Sequence, residues 1–559
     1  MAATSSLVQY GTDEMKQRIT YLLPEGTDYD PANIHIGPDS VNITNTAEPP
    51  AIEKRVTAGL SELPVELREI LTSIHELHIR YTSRQPYQAP SPLTSRSPPG
   101  LHVFFTPLAS SPDTDICPLL KSLFSGPNQE LKCSSTLQSF SSPPILAGSE
   151  RFAHTSSHQY YSPLSKVLPF QTWVAKTFCP GTFRGACPHE VATLSFASYI
   201  DIDFDAISHA VTFTAVWRAG IGNPGARTPA KLWGEGDGLE VGVLVPQTAD
   251  EAEEIKLGGF LVVVGEDEYP SATMFSFPSR HHALPSSDAA FRISFQQPTG
   301  LHPKMSISFP RHELTPPKSD GACALHAYLT LPSALFLDRY QLSDPAVLRE
   351  YGLVALRSLS GEQDLEAPDW VIQRWGSAAL VELASPDPTN SAGAGSEEGD
   401  WTATVPLHLR YLQAANSTTT TATGGRGEWE GGEGYVNLTL PHPAVFWACE
   451  AEEGLKMSTN PFDRVDIGYD GLFGPKTMFF HVPPSAGGVV GGGGVGTGVL
   501  ESVIRVPVLE PGWGGVVAWG TFGAVVGGLG WVCWGLVRGM GGGRVKKGGK
   551  KGGVVGKGE

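Results

Sequence analysis

Three acidic residues at alternate positions, Asp201, Asp203 and Asp205, form the overlapping run Asp-Ile-Asp-Phe-Asp, the pattern in this sequence closest to a reaction centre. Carboxylates so spaced can hold Mn²⁺ or Mg²⁺ against a nucleotide-sugar diphosphate, because hard cations favour carboxylate oxygen. Ile200, Ile202 and Phe204 interleave with the acids, however. That period of two favours a simpler reading, the solvated face of a half-buried strand. Asp113-Thr-Asp115 repeats the spacing in a Ser/Pro-rich stretch. His189 and His209 lack the CxxC or HxxxH spacing of a zinc site, and His281-His282 reads as surface loop. No GxSxG, P-loop or dinucleotide fingerprint is present. The residues therefore indicate no catalytic, cofactor-binding or metal site. A single-pass glycosyltransferase using Asp201, Asp203 and Asp205 is the enzyme alternative.

Other side chains speak of compartment rather than catalysis. Cys179 and Cys187, flanking Pro180 and followed by Pro188, could close a small disulfide loop. Cys323 and Cys449 each fall on an apolar strand face, where a disulfide and two buried thiols are both open readings. The triplets Asn42-Ile-Thr44, Asn416-Ser-Thr418 and Asn437-Leu-Thr439 are N-glycosylation acceptors if the body is lumenal.

The elements that must carry these residues are mostly strands. The chain has 559 residues, 40% of them hydrophobic, with 64 Gly and 46 Pro, so a real core is available and turns are plentiful. Alternation of period two runs through Val211–Trp217, Cys323–Leu331, Val405–Tyr411 and Val436–Leu440. Such runs predict antiparallel sheets with one face packed and one wet, in a sandwich-like arrangement with minor helix. The apolar positions of Pro64–Arg80 follow a helical stripe and predict the best helix of the body. Composition divides the chain into a mixed region 1–150 with a Ser/Pro-rich loop at 83–99, a β-rich domain 151–319 and a β domain 320–484. A Gly-rich tether 485–511, an apolar segment 512–537 and a basic tail 538–559 follow, with low-complexity insertions at 385–400 and 415–434.

Residues 512–537 contain no charge, and about 20 apolar residues suffice for a helix to span the hydrocarbon layer. Trp513 and Trp519 lie near one end and Trp531 and Trp534 near the other, as interfacial anchors would. The net charge is −17, and the tail's +6 leaves −23 on residues 1–537. So acidic a body is not expected to bind nucleic acid. The basic flank predicts a cytosolic C-terminus and a lumenal body. The first 24 residues hold no apolar run of signal-peptide length, so entry into the lumen is expected to be unconventional or to use sequence upstream of this start.

Residues 323–484 resemble the PIG-X family in its larger fungal form. The resemblance is carried by Cys323-Ala-Leu325-His-Ala-Tyr-Leu329-Thr-Leu331-Pro332 and Leu335-Phe336-Leu337-Asp338-Arg339-Tyr340-Gln341-Leu342. It continues through Asp364-Leu-Glu366-Ala-Pro368, His408-Leu409-Arg410-Tyr411 and Pro441-His-Pro443-Ala-Val445-Phe446-Trp447-Ala448-Cys449. Lys16-Gln-Arg18-Ile19-Thr20-Tyr21 looks like the fungal opening. Two departures are a Leu-Gln-Ala-Ala run after Tyr411, where a proline-bearing turn is expected, and the Gly content of the apolar segment. The resemblance implies a non-catalytic, cofactor-free subunit of GPI mannosyltransferase I in the endoplasmic reticulum membrane. It would stabilise a multispanning PIG-M-like catalytic partner. A general lumenal folding factor is the alternative of another class.

Overall fold

The computed structural model describes residues 15–541 except segments 45–48, 144–155, 180–185, 219–228, 232–237, 285–288, 311–313, 319–322, 386–399, 415–434, 452–459, 463–466 and 486–497 and residues 128, 252, 475 and 510. The chain is mainly β, with one long apolar helix at its C-terminal end. The sheets that carry the two largest cores stack into three layers.

The largest sheet has ten strands, ordered Ser271–Pro278, Glu254–Val263, Gly238–Gln247, Lys16–Leu22, Ala51–Gly59, Ala210–Arg218, Tyr199–Asp205, Ile74–Thr82, Gly100–Pro107 and His158–Ser162. Every neighbour is antiparallel except Lys16–Leu22, which runs parallel to Gly238–Gln247. Strands from both sides of residue 150 thus interleave, and the boundary expected there does not separate two cores. Local alternation reports which face of a strand is buried, not which distant strand lies beside it.

A six-stranded sheet follows, ordered His281–Ala283, Thr477–Val482, Ala444–Glu450, Cys323–Pro332, Gly376–Leu383 and Leu353–Gly361. It is the middle layer. Tyr328, Leu380, Phe446 and Phe479 on one face share a core with Leu101, Val103 and Tyr161 of the ten-stranded sheet. Leu325, Ala327, Val381 and Trp447 on the other share a core with Ile293, Ile307, Val405, Leu438 and Ile504. The wet face expected of Cys323–Pro332 is therefore absent: His326, Tyr328 and Thr330 are as buried as their apolar neighbours. One close approach in this sheet depends on glycine. A Cβ at Gly376, whose φ is +142°, would stand 2.0 Å from the Leu331 carbonyl oxygen.

The outer layer joins residues distant in sequence. Lys304–Pro310 pairs with both Arg292–Phe295 and Asp400–Pro406, crossing the boundary expected at 319. Tyr435–Pro441 pairs with Glu501–Pro507, so part of the expected tether is a strand of the body, while its Gly-rich portion lies outside the described residues. Both expected insertions fall chiefly outside them as well.

The helix expected over Pro64–Arg80 divides. Val65–Leu71 is helical, but Ile74–Thr82 is a strand between Gly100–Pro107 and Tyr199–Asp205. Leu77, Ile79 and Tyr81 alternate with His78 and Arg80, and both sets are buried. With both faces covered, strand neighbours override the helical spacing of the apolar residues.

Candidate functional site: buried ion networks and an uncovered membrane helix

Sheet register sets Asp201 opposite Arg80, Asp203 opposite His78 and Asp205 opposite Glu76. The Arg80 guanidinium donates from Nε to Asp201 Oδ1 and from Nη2 to Oδ2, each at 2.7 Å, in a pair that is almost fully buried. Arg80 also lies over the Tyr199 ring at 4.6 Å and donates to Ser95 Oγ. His78 Nδ1 meets Asp203 Oδ1 at 2.5 Å. Burial alone would lower the His78 pKa, but the Asp203 and Asp201 carboxylates outweigh it and hold it above the ordinary value. Asp205 caps a turn by accepting from the N–H groups of Ile207 and Ser208 and from Ser208 Oγ. Its partial burial acts upward, yet those bonds hold its pKa below the usual carboxylate range.

The expectation of a solvated acidic face is corrected for Asp201 and Asp203. A carboxylate can enter a sheet when its cross-strand partner is a cation that satisfies both oxygens. Asp201 then has both oxygens committed to Arg80 rather than free to bind a metal. No group of three or more His, Cys, Asp or Glu side chains among the described residues is arranged to hold one. Asp115 is also structural, accepting from Cys117 N, Thr136 N and Thr136 Oγ1.

His281 and His282, read from sequence as surface loop, are buried in a short strand alongside Thr477–Val482. His281 Nε2 lies 2.9 Å from Asp470 Oδ1 and its Nδ1 lies 2.9 Å from His481 Nε2. Burial pushes the Asp470 carboxyl up, but the His281 hydrogen bond and the Arg280 charge outweigh it, to about 2. Burial, aided by neighbouring cations, holds His481 well below its usual value, and His282 falls to about 4. The row of groups looks like an acid–base relay, but His481 Nδ1 has no partner among the described residues and the relay ends in the core. Its bonds tie the first two strands of the six-stranded sheet to the turn at 467–472 that precedes Thr477–Val482. The dipeptide Arg280-His281 offered no signal of this, since its partners lie some two hundred residues away.

A cavity of about 110 Å³ lies between the ten-stranded sheet and the helices Leu168–Phe178 and Ala186–Thr193. Val56, Phe170, Phe213 and Trp217 line it, and Lys54 pairs with Glu190 in its wall. The Lys54 and Glu190 side chains are committed to each other, and apart from Thr193 and Thr214 the rest of the lining is apolar.

The structure joins Cys323 to Cys449, directly opposed in register with Cα atoms 4.1 Å apart, and Cys179 to Cys187 at 5.6 Å. A third bond, Cys117–Cys133, was missed by the sequence reading. An even six cysteines before the apolar segment was the available signal, since two pairs leave these two. Asn42 is exposed on Val41–Ile43, Asn437 is half-buried on Tyr435–Pro441, and Asn416 lies outside the described residues.

The C-terminal helix, Gly514–Gly541, is long and apolar enough to cross a membrane. None of its most apolar stretch is buried against the body. All its faces are free to meet lipid or other helices, including the close approach that Gly523 and Gly527 permit.

The family model described as PIG-X / PBN1 matches residues 298–537. Protein pbn1 of Emericella nidulans is 42% identical over 540 residues, covering 93% of this chain and 95% of that relative. Protein pbn1 of Neurospora crassa is 38% identical, with the same coverage of 93% and 95%. Protein PBN1 of Saccharomyces cerevisiae is 29% identical over 250 residues, 44% of this chain and 49% of the relative.

Proposed function

The chain belongs to the PIG-X/PBN1 family, and from that premise we propose that it is a non-catalytic subunit of GPI-anchor biosynthesis that stabilises the multispanning, PIG-M-like catalytic subunit of GPI mannosyltransferase I. That enzyme would add the first mannose to the GPI precursor in the endoplasmic reticulum. The body would be lumenal and the basic tail cytosolic.

The observation that carries this reading is the family match along nearly the whole chain. The geometry supports it from a second side. Asp201 and Asp203, the acids best placed by sequence for sugar-nucleotide chemistry, are held by Arg80 and His78 inside a sheet. One uncovered helix also cannot enclose a lipid-linked donor, whereas it can pack against a partner's helices. Stabilisation then needs no chemistry. A subunit that binds only the folded partner shifts the partner's folding equilibrium by mass action, by about 2.7 kcal/mol at a free concentration 100-fold above Kd.

The test is purification of the tagged full chain in mild detergent, with quantitative mass spectrometry of what accompanies it. Near-stoichiometric recovery of a PIG-M-like subunit whose level falls on depletion of this chain is the expected result. Recovery of many unrelated misfolded clients, with that subunit absent and its level unchanged, overturns the reading in favour of a general folding factor.

A further inference from the structure

Residues 362–372 form a loop with little regular structure that is nevertheless pinned at several points. Asp364 Oδ1 accepts from the N–H groups of Glu366 and Ala367. Ser333 Oγ donates to Asp369 Oδ1 at 2.6 Å, and Asp369 N donates to the Tyr411 carbonyl at 3.0 Å. The buried Arg410 side chain holds the loop from beneath, donating from Nη1 to Ala367 O and from Nε to Ser333 O while stacked on Phe336 at 4.6 Å.

So firm a loop holds apolar side chains away from the core. Trp370 is 50% exposed, Val371 54% and Tyr411 68%, with Leu365 beside them. Glu362, Asp364, Glu366 and Asp369 alternate with these side chains along the loop, and against Arg374 and the Arg410 beneath they leave a net charge of −2. A pre-ordered aromatic cluster interspersed with charge is the make-up of a binding hot spot, because the ordering entropy is already lost.

Hydrogen bonds also run from the loop toward the strand that leads into the apolar helix. Thr299 Oγ1 donates to the carbonyl of Arg505, on the last strand before the apolar helix. Leu409 N donates to the carbonyl of Leu301, and the next bond along is Asp369 N to Tyr411. Hydrogen bonds thus link the loop, through Tyr411, Leu409 and Leu301, toward the strand that continues into the span.

We propose that this loop, with Tyr411, is the docking surface for the lumenal face of the multispanning partner, which would present basic side chains around an aromatic-accepting hollow. The inference rests on the partner reading above and names its point of contact. Trp and Tyr also suit a membrane interface. The four carboxylates interspersed with the apolar side chains favour a basic protein surface over a headgroup layer.

The test compares three full-length tagged variants in mild detergent: W370A/V371S, D364K/E366K, and the control Y269A/M274A, which alters exposed apolar residues at the opposite end of the ten-stranded sheet. Recovery of the multispanning subunit should fall about tenfold or more in the first two and stay within about twofold in the control. As an independent readout, a photoreactive benzoyl-phenylalanine at position 370 of otherwise native chain should form an adduct with that subunit. Undiminished recovery with W370A/V371S, or an adduct with lipid alone, overturns the surface while leaving the partner intact. A native chain that brings no such subunit at all overturns the partner reading and this surface with it.

Discussion

Replacing Asp201 with asparagine separates a structural carboxylate from a catalytic one. In the native body Arg80 and Asp201 share two hydrogen bonds of 2.7 Å, with both side chains about 2% exposed. The D201N change would strip the charged partner from a buried guanidinium that otherwise meets Ser95 Oγ and the Tyr199 ring. Breaking one side of a buried ion pair destabilises by about 3–5 kcal/mol, because the surviving charge stays desolvated. R80M should fall in the same range, whereas the double variant R80M/D201L removes both charges and should lose less than the two single changes predict together. The non-additivity should reach about 2 kcal/mol or more. Urea-dependent pulse proteolysis of the full chain in detergent, following the intact body, measures all three. D205N, at an exposed turn, serves as the reference and should lie within about 1 kcal/mol of native. A D201N chain within about 0.5 kcal/mol of native that has lost a sugar-transfer activity would refute the reasoning and restore the metal-binding alternative.

Three further outcomes follow from the same geometry. The C323A/C449A chain should lose up to about 5 kcal/mol and C179A/C187A about 2.5, from the chain entropy released by loops of 126 and 8 residues; equal losses in the urea midpoint would contradict this ordering. Burial holds His102, His282, His326 and His442 at about 4 in the folded body, so between pH 6.5 and 4 the unfolded chain binds protons that the folded one does not. Stability should therefore fall as pH drops through that window, by up to about 5 kcal/mol per pH unit from these four groups, with His481, held lower still, adding to the slope. His78, whose pKa is raised, acts in the opposite sense but only above about pH 6.5, where it adds stability as pH falls, and Asp470 adds its own loss only from about pH 4 down to 2. A melting temperature that is flat from pH 7.5 to 5 would count against this. For the sequons, N42Q and N437Q should each remove one step of glycosidase-sensitive mobility, and a chain with no such shift at all contradicts a lumenal body.

The parts of the fold that could be read from sequence were those written in local alternation. Tyr199–Asp205, Ala210–Arg218, Cys323–Pro332 and Tyr435–Pro441 are strands because branched and aromatic residues recur every second position there. The apolar helix was legible by length alone. Ile74–Thr82 was not, since Ile74, Leu77 and His78 continue the helical spacing begun at Val65, and Arg80 and His78 enter a sheet only because Asp201 and Asp203 lie opposite them. His281 failed for the same reason: a polar residue enters the core only through partners, Asp470 and His481, whose proximity is a property of the fold. Domain limits failed at 150 because an early strand is inserted into a sheet completed much later. The Arg410 support beneath Trp370 was visible only as a His-Leu-Arg-Tyr motif with no stated task.

That early strand has a consequence for synthesis. Lys16–Leu22 can pair with Ala51–Gly59 almost as soon as both emerge, but its parallel neighbour begins at Gly238. At about 5–20 residues per second, the intervening chain takes roughly 10–40 s to make. Until Ala210–Arg218 is made the Ala51–Gly59 edge is unpaired as well, and throughout the interval the Lys16–Leu22 edge of the nascent hairpin is open to other strands. Lys16 and Arg18 on that edge place positive charge where a stray strand would add. The N-terminal half of the body is thus committed to waiting for residues that the ribosome has yet to deliver, and its window of vulnerability is set by the rate of translation rather than by the stability of the finished sheet.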